Sequence, residues 1–332
     1  MENKEKYFFS FWLNLGNKTK NELQSIFYKL AECGIDEILA TGSLEKTKLA
    51  IPLAAEKKIK FQHWQMTMIN NDPQILKEHK DWFMINRDGK SSADYPPYVN
   101  YYHWLCPNNL QVKSYLNDLV ASYCSLPGLK GIHLDYIRYP DVILPVKCQR
   151  QYGLLQQIEE SRFDFCYCPY CLEKFQALYD KDINTIIHPD QDENWRHFRW
   201  QSISEIVDQL IPIASGYGKK ITAAVFPTPD IARKLVRQNW AVWLLDAFYP
   251  MMYHEFYDQG IDWLAQAVIE CRKETDRPVH VGIYLFALAS EQLQQAIKLL
   301  ISINVDGISF FDFHTATDDK LEIIKSFKIS EN

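Results

Sequence analysis

The chain has little of what marks a fibrous, disordered or phosphate-gripping protein. Only 12 of its 332 residues are glycine and 15 are proline, with no short repeat and no low-complexity tract. That composition excludes collagen, disorder and coiled coil. Excess positive charge is also missing. Lys and Arg number 36 against 42 Asp and Glu, giving a formal charge of −6, so nothing marks the chain for nucleic acid or an anionic membrane. No long apolar run is present either. The N-terminal stretch Tyr7–Leu13 follows Glu2, Lys4, Glu5 and Lys6 and falls far short of the roughly 20 residues of a spanning helix. It predicts a first buried strand. The chain as written reads as cytoplasmic, or as secreted or periplasmic if a signal peptide has been removed. Its 8 cysteines are too sparse for a disulfide scaffold. What the sequence does have is apolar and aromatic surface, at 47% and 14% of residues, enough for a large core and for stacking platforms.

Short apolar runs alternate with segments of helical period along the whole chain. The runs are 7–15, 36–41, 59–66, 131–137, 220–226, 246–253, 279–286 and 306–313; the helical segments are near 19–33, 44–56, 109–125, 193–215, 230–238, 259–273, 290–303 and 317–327. Continuous rather than alternating apolar strands suit a parallel sheet covered by helices. Eight such units in series predict one α/β domain over 1–332, a (β/α)8 TIM barrel of the kind that needs about 250 residues. The surplus falls at 70–108 and 138–190, after the third and fourth strands, as insertions at the C-terminal face where such barrels build their sites. A doubly wound sheet would want G-x-G-x-x-G after the first strand, where Asn14-Leu15-Gly16-Asn17-Lys18 stands instead.

In a barrel the strand C-termini line the site. They offer Trp12 and Asn14, then His63, Trp64 and Gln65, then Asp135, Tyr136, Arg138 and Tyr139. Phe226, Tyr253, His254, Glu255, Tyr284, Asp312 and His314 follow. Aromatics with carboxylates, an amide and an Arg suit a polyhydroxylated ligand, with rings on sugar C–H faces and polar groups on hydroxyls. Trp12, Asn14, His63, Trp64, Tyr136, Arg138, Tyr253 and Tyr284 are therefore expected to bind substrate. Asp135 stands out because a carboxylate inside the apolar Gly131–Pro140 strand must be paired or functional. Arg138 is its natural partner, either as a structural pair at the strand corner or as a cation keeping a catalytic carboxylate ionised. Asp246, opening the sixth strand, should lie at the barrel bottom and be structural.

Gly131-Ile132-His133-Leu134-Asp135-Tyr136-Ile137-Arg138-Tyr139-Pro140 resembles the DGIHLDYIRYP strand of the glycoside-hydrolase-like family labelled family-10-like, a group that includes bacterial peptidoglycan-glycan hydrolases. Trp104–Asn109 with Val112 and Tyr115-Leu116, Asp246–Tyr253 and Asp306–Phe311 match the same family in order. The resemblance implies a sugar-active TIM barrel. Glycosidases generally need two carboxyl groups flanking the scissile bond. Asp135 supplies one; by analogy with retaining barrels it acts as nucleophile and a strand-six acid, here Glu255, as proton donor. Asp312, between Phe311 and Phe313, is the alternative acid. A glycan-binding barrel without turnover is the other outcome. A sugar-phosphate enzyme is disfavoured, because 285–290 and 313–317 hold no glycine and no strand ends in Lys.

The run Cys166-Tyr167-Cys168-Pro169-Tyr170-Cys171 in the second insertion is not a general feature of that family. Three thiolates there suit zinc, with Cys148 or His188 as a fourth ligand, against ordinary buried thiols. The expectation is thiols, with no cofactor required.

Overall fold

The structure, a computed structural model, describes residues 7–329. Eight strands form one parallel sheet: β1 (Phe9–Asn14), β2 (Glu37–Thr41), β3 (Lys60–Met66), β4 (Gly131–Asp135), β5 (Lys220–Val225), β6 (Ala247–Pro250), β7 (His280–Tyr284) and β8 (Gly307–Phe311). Their order runs β6-β5-β4-β3-β2-β1-β8-β7. Parallel bridges Phe248↔Val279 and Met251↔Gly282 bring β6 to β7 and close the ring. The fold is the expected (β/α)8 TIM barrel.

Helices cover the outside: α1 (Lys20–Glu32), α2 (Leu44–Glu56), α3 (Pro73–Glu78), α4 (Leu110–Cys124), α5 (Val146–Gln151), α6 (Pro169–Tyr179), α7 (Glu193–Gly216), α8 (Pro229–Val236), α9 (Trp263–Glu274), α10 (Ser290–Ser302) and α11 (Asp318–Ile329). The first starts on a capping box, Thr19 bonding Glu22 N while Glu22 accepts from Thr19 N, and Gly34 just beyond it adopts φ +70°. Short α3, α5 and α6 lie in the two long connections, 67–109 after β3 and 136–192 after β4, and lack the extended period that announces the others.

Strand alternation divides the molecule. Odd positions of β1 (Phe9, Phe11, Leu13) join the large apolar layer between sheet and helices, whereas Trp12 faces inward with Leu39, Trp64, Ala224, Ala247 and Tyr249. Lower in the barrel the filling is polar. Trp12 Nε1 donates to His133 Nε2 (3.2 Å) and His133 Nδ1 meets Thr222 Oγ1 (2.9 Å). Thr222 donates to Gln62 Oε1 (2.9 Å), and Gln62 Nε2 and Tyr249 Oη donate to Glu37 (2.8 Å each). This chain satisfies groups that would be costly to bury alone. At the bottom, Asp36, Asp246 and Asp306 each accept a backbone N–H at or beside the start of a neighbouring strand: Phe9, Ile221 and Val279. Asp246 is structural, as its position predicts.

Candidate active site

The connections after β3 and β4 wall a cavity of about 590 Å3 over the strand C-termini. Its lining is dominated by rings, among them Trp64, Tyr102, Tyr136, Phe226, Tyr253, Tyr284 and Phe311. Among the described residues its carboxylates are Asp135 and Asp141, and its guanidinium is Arg138.

Asp135 is the last residue of β4 and is buried. Tyr136 then turns to φ +50°, a left-handed conformation that a tyrosine rarely adopts, and this ends the strand. The turn aims Tyr136 N at Asp135 Oδ1 (2.6 Å), while Trp64 Nε1, inward on β3, donates to Oδ2 (2.8 Å). Burial pushes the carboxyl pKa up, and the two N–H donors and Arg138 offset this only in part.

Arg138 does not pair with Asp135. It forms a buried ion pair with Asp141 (3.0 Å), donates to Tyr139 O (2.8 Å), and lies over the rings of Trp104, Phe226 and Tyr136 at 4.9, 5.0 and 5.4 Å. Burial disfavours its cation, yet Asp141 and the neighbouring tyrosines hold its pKa above the ordinary value. The expected Asp135–Arg138 pair is not formed: Arg138 pairs with Asp141, and burial is the largest influence on the Asp135 carboxyl, raising its pKa although Arg138 still lowers it from a distance. Asp141 was missed in the sequence. Its signal was an Asp three residues after an Arg, in a loop following a strand end.

Trp64, Tyr136, Arg138, Tyr253 and Tyr284 all line the cavity, as expected. Burial, Asp135, Tyr284 and Asp312 together push the Tyr253 hydroxyl well above its ordinary pKa, leaving it a hydrogen-bond donor. Other expected residues are not brought there. Trp12 is 1% exposed and fills the barrel interior. His63 points outward from β3, stacked on Tyr123 of α4 at 3.5 Å, and burial drops its pKa to about 3; one residue of register separates it from Trp64. Asn14 and Asp312 line a separate hollow of about 560 Å3, where Asp312 accepts from Thr315 N (3.2 Å) and caps a short turn. Glu255 sits on the turn His254–Tyr257, half-buried in another hollow with Lys147 and Gln259.

Cys166, Cys168 and Cys171 do converge, and the fourth sulfur beside them is that of Cys106, just ahead of α4. The expected fourth ligands lie elsewhere: Cys148 lines the large cavity and His188 is exposed.

No family model and no curated protein sequence matches the chain. Solved structures do match in fold. A β-galactosidase from the psychrophilic Marinomonas ef1 superposes with a TM-score of 0.69 at 8% identity over 97% of this chain and 59% of its own. A β-galactosidase from Halorubrum lacusprofundi gives 0.70 at 12% identity, over 97% and 57%. The endo-1,4-β-mannanase of Rhizomucor miehei gives 0.59 at 11%, over 99% and 96%. The chain thus spans less than two thirds of the β-galactosidases and nearly all of the mannanase. No helix among the described residues is long and apolar enough to cross a membrane.

Proposed function

We propose that the chain is a glycoside hydrolase working in the Asp135 cavity. One observation carries this: a carboxyl with a raised pKa on the floor of a ring-walled cavity, at the barrel face where strands end. A carboxyl whose pKa burial raises suits a general acid, so Asp135 takes the proton-donor role and protonates the leaving glycosidic oxygen. Asp141, lining the same cavity and held by Arg138, is the carboxylate that activates water or meets the positive sugar centre. Tyr136, Tyr253 and Tyr284 offer ring faces and hydroxyl donors to the sugar. The family-10-like resemblance of the fourth strand and the glycosidases among the fold neighbours support this reading, in which 1–332 acts as one barrel and its long connections build the site.

A panel of aryl glycosides and glycan fragments tests it, with the product anomer followed by NMR. Turnover of at least one substrate, sharply reduced in Asp135→Asn, is the expected result. The Arg138–Asp141 ion pair favours a second reading, a glycan-binding barrel, because it partly neutralises the second carboxylate. Binding without turnover in the unaltered protein supports that reading instead.

A further inference from the structure

Four cysteines from two distant segments meet behind the cavity wall. Cys106, Cys166, Cys168 and Cys171 are all buried, and their sulfurs lie within 4.8 Å of one another. Cys106 Sγ is 3.3 Å from Cys168 Sγ and 3.6 Å from Cys171 Sγ. A zinc tetrahedron with bonds of about 2.3 Å sets its sulfurs about 3.8 Å apart, so the cluster is near that size. None of the four forms a disulfide.

The surroundings are arranged for negative charge. A metal held by four thiolates carries two net negative charges when the metal is divalent. Cys168 is the N-cap of α6, where the helix end favours a thiolate. Asn108 Nδ2 donates to Cys171 Sγ (3.2 Å), and Lys174 Nζ holds that amide from its other side (3.0 Å). Arg199 is fully buried; it bonds Asp164 and the carbonyl of Phe165, next to Cys166 (3.3 Å), and its Nε and Nη2 have no partner. The buried Tyr139 hydroxyl also lacks a partner, and it interacts electrostatically with Cys171, Cys166 and Cys106. Buried donors without acceptors are rare and costly. A tetrathiolate would add negative charge beside these groups, where Asp164 is the carboxylate already paired with Arg199.

We infer that Cys106, Cys166, Cys168 and Cys171 form a structural zinc site that staples the connection after β3 to the connection after β4. The set is closed, with no ligand position left for water, which is the form of structural rather than catalytic zinc. Zinc displaces four thiol protons as it binds, with no change of oxidation state. The staple also bears on the cavity. Cys106 lies two residues beyond Trp104, whose ring supports Arg138 (4.9 Å), and Cys171 lies in the connection that carries Asp141.

The full-length chain, purified without chelator from zinc-supplemented medium, is assayed by elemental analysis. One zinc per chain is expected, falling to background in Cys106→Ser but retained in Cys33→Ser, a buried thiol outside the cluster. Zinc far below one equivalent, stoichiometric iron, or a mass deficit from disulfides overturns the site. Because Cys106→Ser can fail to fold, the unaltered protein is also reconstituted with cobalt. Intense visible bands of a tetrahedral cobalt tetrathiolate support the proposal; the weak spectrum of octahedral cobalt overturns it. Stripping zinc should speed hydrogen exchange in 101–106 and 165–171. Unchanged exchange there refutes the staple.

Discussion

The indole N–H of Trp64 reaches Asp135 Oδ2 at 2.8 Å, joining the end of β3 to the end of β4 inside the cavity. Trp64 also meets Phe311 of β8 edge-on at 6.0 Å, which fixes its ring. The bond favours the charged carboxylate and opposes the burial that pushes Asp135 up. Trp64→Phe keeps the ring and deletes the donor. The carboxyl pKa should then climb further, moving the alkaline limb of the kcat profile upward, with kcat lower by about 10-fold, the scale of one charged hydrogen bond. A pH–rate series on both proteins checks it. An unmoved limb means that Trp64 only packs.

Asp135→Asn removes the proton donor while keeping the shape of the side chain. Turnover should fall by about 10²- to 10⁴-fold, the usual share of general acid catalysis, and glycan affinity should largely survive. Because a proton donor acts in its protonated form, activity of the unaltered protein should be lost as pH rises through the carboxyl pKa, which burial raises. Kinetics with calorimetric binding measure both. Equal loss of affinity and turnover would assign Asp135 to binding alone.

Asp141→Ala makes the contrasting case. It leaves Arg138, 5% exposed, without its ion-pair partner. Breaking a buried pair from one side costs about 3–5 kcal/mol, so the melting temperature should drop sharply, whereas Asp135→Asn should move it little. Denaturant unfolding of both variants makes the comparison. A mild Asp141→Ala would mean that solvent reaches Arg138.

The sequence carried the barrel because its evidence was periodic. Eight apolar runs and eight helical segments match strands and helices to within a few residues, from Phe9–Asn14 to Asp318–Ile329. The site was legible where a residue's face follows from its strand. Trp64 and Asp135 point inward in register with the rest of β3 and β4, and His63 was misplaced by that same alternation. Loop residues carry no such periodicity. Nothing in Tyr253-His254-Glu255 shows that the turn carries Glu255 away from the cavity, and nothing local to Cys166–Cys171 points 60 residues back to Cys106. The sequence pairs Arg138 with Asp135, whereas the chain turn at Tyr136 swings it toward Asp141.

Buried histidines make stability depend on acid. Burial lowers His63 to about 3, His133 to about 3 and His280 to about 4, all below their ordinary 6.5. For a group lowered in the fold, the unfolded chain binds more protons between the two values, so stability is complete above pH 6.5 and is lost as pH falls toward the folded pKa. Each such histidine contributes a slope of up to ~1.4 kcal/mol per pH unit within that window. Glu37 and Asp135, raised by burial, act in the opposite sense, adding stability as pH falls through their own raised values. The histidine share is isolated with His63→Phe, which keeps a flat ring against Tyr123 and removes the proton site. The stability of the variant relative to the unaltered chain should be constant above pH 6.5. Between pH 6 and 4 it should rise steadily in the variant's favour, as read from denaturant midpoints at each pH. A difference that stays flat across that range would show His63 to be protonated in the folded barrel, and the stack on Tyr123 to be a cation over a ring.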